Sequence, residues 1–370
     1  MEKTERRDRK IVFENGREFL GEGFGAAKTA VCKAVFDTAM IGYQEIVSDP
    51  ACAGEGLVMT YPVIGTYGMA EEDYESRALR LACLVVREYN DRPSNFRYTQ
   101  TLADVMEENN IPGIQGVDTR AITRMLRENG AMKMILTDAE VPTEQALEEL
   151  KAAPLPTDLV SRVSSRKVWY SRTANHTYHV VAIDCGIRQS SIRCLTSRGC
   201  NVTVVPYQTS AEAILAMNPD GVFISSGPGE AAQIPETVKT AAALMGKLPL
   251  FGVALGSHVL ALAAGGKVTP MKTIHSGGNI PVMREGFGKR EFTAQGHTSA
   301  VCEDSLKNTC LAVTHRHLLD HTVEGFRSEE KHISGVQYYP ENMPGADDCA
   351  YHYDLFISDM ENAKGGSKNA

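Results

Sequence analysis

The fold is written most clearly in Leu250-Phe251-Gly252-Val253-Ala254-Leu255-Gly256-Ser257-His258-Val259-Leu260-Ala261. The apolar run Leu248 to Val253 has the length of one buried strand, and it runs straight into an apolar helix predicted from Ser257 to Ala264. The bend between them has the form Gly-x-Nuc-x-Gly, in which a sharp strand-to-helix turn presents its central side chain above a sheet. Its glycines are needed because the turn crowds neighbouring backbone, and the helix amino terminus offers N–H groups to an oxyanion. Covalent chemistry at such a bend requires Ser or Cys at the centre. Here the centre is Ala254, a methyl group.

Upstream of the bend, strand and helix signals alternate. Val180 to Ile183 reads as a strand, Ser190 to Arg198 as a helix closed by Gly199, and Val202 to Val205 as a strand. Ala211 to Met217 reads as a helix, Gly221 to Ile224 as a strand, and Glu236 to Met245 as a helix. This spacing predicts a mostly parallel sheet flanked by helices. All ten histidines fall in this half, so imidazole chemistry belongs here.

The first half has a different texture. Short runs such as Ile11 to Phe13 and Ala34 to Phe36 predict strands, with tight turns at Asn15-Gly16 and Gly21 to Gly25. Helices are expected at Leu102 to Glu108, Thr119 to Glu128 and Glu144 to Lys151. A Ser-, Arg- and Pro-flavoured stretch without apolar periodicity follows. The expected division is a domain over 1–152, a linker over 153–176, an α/β domain over 177–362 and a frayed tail over 363–370.

At 370 residues and 40.3 kDa, two domains are the natural expectation. Hydrophobic residues at 43% and charged residues at 23% describe a globular chain, and a net charge of −8 argues against a general nucleic-acid binder. No apolar run reaches the length of a membrane span. The polar first ten residues do not read as a secretory signal, and nine scattered cysteines without a CxxC pair read as reduced thiols; the expected compartment is the cytoplasm.

With these residues in view, the chain resembles the small, glutamine-amidotransferase subunit of carbamoyl-phosphate synthase from about Ile11 to Phe356. The matching blocks in the first half are 37–46, Thr60 to Gly65, Ser94 to Arg97, Asp118-Thr119-Arg120 and Leu126 to Gly130. In the second half they are Asn218 to Gly221, Ser226-Gly227-Pro228-Gly229 and Thr293-Ala294-Gln295. The resemblance implies an amino-terminal β-rich α+β domain followed by a class I glutamine amidotransferase domain. It also implies a large-subunit partner holding the ATP, bicarbonate and metal-ion sites, with no cofactor in this chain, and a place in pyrimidine or arginine biosynthesis. No nucleic acid or membrane partner is expected.

In that family a Cys at the bend attacks the glutamine amide, with a His as base and a Glu orienting it in a local His-Pro-Glu. Here the corresponding residues are Ala254 and Tyr339-Pro340-Glu341, so Glu341 alone matches. Losing such a nucleophile costs on the order of a millionfold in kcat. An ordinary phenol, with its pKa near 10, is a poor general base at neutral pH. The pocket departs too: Ala51 stands where the family has a serine, Gly256-Ser257-His258 where it has Gly-His-Gln, and Gln295-Gly296-His297-Thr298-Ser299 where it has Gln-Asn-His-Gly-Phe. What matches is defined by backbone: Gly227, Gly229, Leu255 and Gly256. The expectation is a pseudo-glutaminase that supports or regulates an ammonia-dependent synthetase. The alternatives are a small-ligand sensor using the remodelled pocket, or changed chemistry with Tyr339 and Glu341 as acid and base. A single exchange of the nucleophile would explain Ala254 and none of the other departures. A nucleophile relocated to Ser257 with His258 is disfavoured because helix neighbours point about 100° apart.

Other patterns have plainer readings. His315, His317 and His321 have a spacing that could suggest a metal, but hydrogen-bonded imidazoles are the expectation, and no metal site is expected. His275 and His297 are pocket-side by position. Gly21 to Gly25 lacks the strand–loop–helix context of a phosphate loop. Arg120, Arg124 and Arg127 form a basic helix face that is either solvated or, by the resemblance, an interface with the large subunit. Trp169 could anchor packing between the domains.

Overall fold

The computed structural model describes residues 7–341 and 348–366. The chain divides into two compact units: residues up to Thr157 together with Lys272–Ser276, and Asp158–Met271 together with the remainder from Gly277.

The first unit is a closed seven-stranded barrel. Around it run Arg9–Phe13, Glu18–Gly25, Pro112–Gln115, Cys83–Val85, Glu55–Met59, Ala30–Asp37 and Met132–Asp138, which pairs back with Arg9–Phe13. Its interior holds Ile11, Phe13, Cys32, Val58, Cys83, Ile114 and Met134, all fully buried. The segment Gly21 to Gly25, expected as a tight turn, is instead the second half of a strand. The reason is steric: a Cβ on Gly21 would overlap the Gln115 carbonyl, so these glycines let neighbouring strands approach rather than reverse the chain. The helix Thr119–Asn129 buries Ile122, Met125 and Leu126 and leaves Arg120, Arg124 and Arg127 exposed.

The second unit is a ten-stranded mixed sheet. Its parallel centre is Cys200–Pro206, Tyr178–Asp184, Gly221–Ile224, Leu250–Val253 and Ile333–Val336. Beyond it, Val323–Ser328, Arg290–Val301, Val268–Arg284 and Ala312–His317 continue antiparallel. The helices Ala211–Ala216, Pro235–Leu244 and Leu255–Ala263 cover one face, and Gln189–Thr196 and Tyr351–Gly366 cover the other. Central strands are thus buried on both sides, which is why they read as unbroken apolar runs. Val181, Ile183, Val222 and Ile224 are fully buried, each contributing about 2 kcal/mol through removal from water.

The stretch expected as a linker is structured. It carries the helix Leu159–Val163 and the edge strand Trp169–Ser171, antiparallel to Cys200–Pro206. Side-chain bonds compensate for its lack of apolar periodicity: Ser165 N–H donates to Asp184 Oδ2 at 2.8 Å, and Tyr207 N–H to Ser164 Oγ at 3.2 Å. Trp169 therefore packs within the second unit. At the carboxyl end the last helix reaches Gly366, so the tail expected from 363 begins helical, and 367–370 lie outside the described residues. No helix among the described residues is long and apolar enough to cross a membrane, and the nine cysteines form no disulfide.

Candidate functional site

Strand Leu250–Val253 ends at the carboxyl edge of the parallel sheet, and helix Leu255–Ala263 starts two residues later. Between them Ala254 has φ 49° and ψ −110°, a conformation that costs a non-glycine residue roughly 1–3 kcal/mol. The bend is over-determined. Ala254 N–H donates to Val336 O at 2.8 Å, and the Ala254 carbonyl accepts Ser257 N–H at 3.0 Å and Ser257 Oγ at 2.7 Å. A Cβ on Gly252 would lie 2.5 Å from Gly256 O, and one on Gly256 would overlap the Ile224 carbonyl. The geometry anticipated for this turn is therefore present in full, with a methyl group at its apex. Ser257 is buried with its hydroxyl donating to a backbone carbonyl, an arrangement that does not prepare it as a nucleophile.

The neighbouring loop completes the frame. A Cβ on Gly227 would collide with the Cys185 carbonyl and come 3.0 Å from Leu255 Cδ2, and Gly229 has φ 77°. Gly227 is thus packed between the Cys185 backbone and the Leu255 side chain, and Gly256 against the backbone of Ile224 and Ser225. The loop following strand Tyr178–Asp184 is held by Asp184 Oδ1, which accepts the N–H groups of Gly186 and Ile187 at 2.9 and 2.8 Å.

Tyr339 and Glu341 follow strand Ile333–Val336, the parallel neighbour of Leu250–Val253. Tyr339 N–H donates to Ala294 O at 2.9 Å, and its ring packs in the same apolar cluster as Ala254. The Arg188 guanidinium, 1% exposed, lies 4.4 Å from the centre of that ring. Glu341 is buried, and its Oε1 accepts the hydroxyls of Ser191 and Tyr353, each at 2.6 Å, while Oε2 makes no hydrogen bond. Sequence reasoning did not find Arg188, Ser191 or Tyr353. Nothing in the sequence marks them: Arg188 and Ser191 reach Tyr339 and Glu341 from the start of helix Gln189–Thr196, and Tyr353 reaches Glu341 from the last helix.

The positions expected as a remodelled pocket separate into several environments. Gly296 faces Tyr339, for a Cβ there would lie 3.7 Å from the phenol oxygen. His297 is buried, with Nε2 3.1 Å from Gln295 Oε1 and Nδ1 3.0 Å from Ser299 O, and Gln295 Nε2 donates to the buried Glu324 at 3.2 Å. Thr298 and Ser299 lie on the same strand, Ser299 half-buried. His258 is buried on the helix after the bend, where desolvation pushes its imidazole down to about 4 and Gln337 beside it partly offsets this. Neither His258 Nε2 nor Gln337 Oε1 has a hydrogen bond that meets ordinary geometry. Ala51 lies in the first unit, in the turn Pro50–Cys52, with its N–H donating to Asp49 Oδ1 at 2.8 Å. His275 is buried in the segment that belongs to that unit.

The three closely spaced histidines do not converge. His317 Nδ1 lies 2.8 Å from Asp320 Oδ1, and His321 is exposed in a left-handed turn. His315 instead meets Tyr351 Oη at 2.8 Å, and burial with the nearby Arg284 pushes its imidazole down to about 3.

Family models match two parts of the chain: carbamoyl-phosphate synthase small chain, CPSase domain, over residues 11–136, and glutamine amidotransferase class-I over residues 181–358. The carbamoyl phosphate synthase small chain of Staphylococcus epidermidis is 43% identical over 356 residues, covering 96% of this chain and 97% of that one. The pyrimidine-specific small chain of Halalkalibacterium halodurans is 42% identical, covering 96% and 98%. A solved structure of a putative GMP synthase component from Thermoplasma acidophilum aligns with 52% of this chain and 99% of its own, at TM-score 0.44 and 18% identity. By its relatives and its two matched domains, the chain belongs to the carbamoyl-phosphate synthase small chain family.

Proposed function

We propose that this chain is a carbamoyl-phosphate synthase small subunit that does not hydrolyse glutamine, and that it supports or regulates synthesis from ammonia by a large subunit. The observation that carries this reading is the methyl group of Ala254 at the apex of an intact strand-to-helix bend. Nucleophilic attack on an amide needs a heteroatom there, and the backbone frame around it can polarise a carbonyl but cannot form the acyl intermediate. The position expected for the base carries the Tyr339 phenol, packed against Arg188. Glu341, which would orient an imidazole, is engaged with two hydroxyls instead. ATP, bicarbonate and metal ion would be handled by the large subunit.

The test is carbamoyl-phosphate synthesis by the chain with its large subunit, comparing glutamine with ammonium chloride as nitrogen donor. The expected result is stimulation by this chain with ammonium and no synthesis with glutamine. Synthesis from glutamine would overturn the reading. A second reading, a small-ligand sensor, is favoured by the polar atoms of His258 and Gln337, buried near the bend without hydrogen bonds of ordinary geometry. It predicts no stimulation with either donor.

A further inference from the structure

Glu291 on strand Arg290–Val301, His315 on strand Ala312–His317 and His352 on the last helix come together in the second unit. They are 0%, 3% and 4% exposed, and one donor atom from each lies within 4.8 Å of the other two. Glu291 Oε2 and His315 Nε2 are 3.7 Å apart. Cys349 Sγ lies 3.9 Å from Glu291 Oε2 but outside the 4.8 Å group formed by the other three, so it must move inward to serve as a donor.

Two features distinguish this group from an ordinary buried hydrogen-bond network. Glu291 Oε1 is buried without a hydrogen bond; its counter-charge is the half-exposed Lys289 ammonium at 3.5 Å. A buried carboxylate calls for a compensating cation. The rings are also braced from outside: Thr314 Oγ1 lies 2.9 Å from His315 Nδ1, and Tyr338 Oη lies 2.8 Å from His352 Nε2. A metal-bound imidazole is typically oriented in this way by a partner on a ring nitrogen.

We propose that Glu291, His315 and His352, with Cys349 as the fourth donor, form a site for a divalent transition-metal ion of the zinc class. Two imidazoles, a carboxylate and a thiolate suit tetrahedral zinc in donor type and number. Tetrahedral donors lie roughly 3.4 Å apart when the bonds are ~2.1 Å. The side chains must therefore draw inward, and the Tyr351 phenol, 2.8 Å from His315 Nε2 and 3.1 Å from Glu291 Oε2, must swing aside. His315 then carries its proton on Nδ1, donating to Thr314, and leaves the Nε2 lone pair for the metal. Coordination by Cys349 releases one proton to solvent. The site uses none of Ala254, Tyr339 or Glu341, although the His352 ring lies 6.4 Å from that of Phe251 on the strand before the bend, and the proposal is independent of the reading of glutamine chemistry.

The test uses the full chain, stripped with chelator and titrated with zinc(II) and, separately, cobalt(II). The expected result is one equivalent of zinc retained through gel filtration, and a cobalt spectrum of four-coordinate type with a thiolate charge-transfer band. Glu291→Gln and His315→Ala should lose this binding and His317→Ala should keep it, while Thr314→Val should weaken it about tenfold. No stoichiometric metal in the unaltered chain overturns the proposal, whatever the variants do. So does undiminished affinity in folded Glu291→Gln and His315→Ala.

Discussion

The bend Gly252–Gly256 and the segment Gln337–Glu341 leave the same end of the sheet from adjacent parallel strands, yet different forces hold them. At the bend the constraint is backbone against backbone: Gly252 against Gly256, Gly256 against Ile224, Gly227 against Cys185. No side-chain chemistry is needed to keep that geometry, and the strained φ of Ala254 persists without a nucleophile to present. In the second segment the constraint is on side chains. Tyr339 fills space against Arg188, and Glu341 has a folding role as acceptor for Ser191 and Tyr353. On the proposed reading, a catalytic scaffold outlasts its chemistry where the backbone itself is packed, whereas a side chain stays in place when it also serves the fold.

The largest effect expected from breaking this contrast is in the bend. Gly256→Ala should destabilise by on the order of 4 kcal/mol or more, because neither the new methyl nor the Ile224 carbonyl can move without disturbing the sheet. Chemical denaturation would show it, and a loss under ~1 kcal/mol would mean that the backbone contact is not what holds the turn.

Acid should expose the second segment through His258. Its imidazole stays neutral in the folded chain down to about 4, whereas an unfolded histidine protonates near 6.5, so the unfolded state binds more protons between these values. Stability present above pH 6.5 is lost as pH falls toward 4, by roughly 3 kcal/mol for this group. His315 and His352 act in the same direction, so the informative quantity is the difference between the parent and His258→Gln. Identical pH slopes for the two would remove His258 from the account.

Glu341→Gln should cost about 2 kcal/mol, since the two buried hydroxyl bonds that share Oε1 must both be remade to an amide. An unchanged melting temperature would show that Glu341 has no folding role. The smallest effect has the opposite sign. Ala254→Gly should stabilise by ~1 kcal/mol, because glycine relieves the positive φ and the relief exceeds its added unfolded-state entropy. A loss of stability would mean that the bend stores no strain.

Much of the second unit was legible because its strands are buried on both faces and announce themselves as apolar runs separated by helix-length intervals. The bend was legible because two glycines, each two positions from Ala254, flank the junction of a strand and a helix. Barrel closure was not: the glycines of Glu18–Gly25 allow close approach between strands, yet in sequence they are indistinguishable from a turn. The stretch 159–171 was missed because single polar contacts, the Ser165 N–H on the Asp184 carboxylate and the Ser164 hydroxyl on the Tyr207 N–H, help tie it to the sheet without an apolar stripe. At the candidate site, Ala254, Tyr339 and Glu341 were found by their place in the motif, but Arg188, Ser191 and Tyr353 meet them from other elements. The histidine spacing at 315–321 carries no trace of the neighbours of His315, because Glu291, Tyr351 and His352 reach it from other elements.

The most direct test of the central claim is glutamate release from glutamine by the unaltered chain and by Ala254→Cys, each assembled with the large subunit. The account predicts no release above the uncatalysed rate for the unaltered chain, and negligible release for Ala254→Cys because Tyr339 still occupies the position of the base. Turnover by the unaltered chain would contradict the claim that the bend has lost its chemistry, and turnover by Ala254→Cys would contradict the claim that the surrounding site was lost with it.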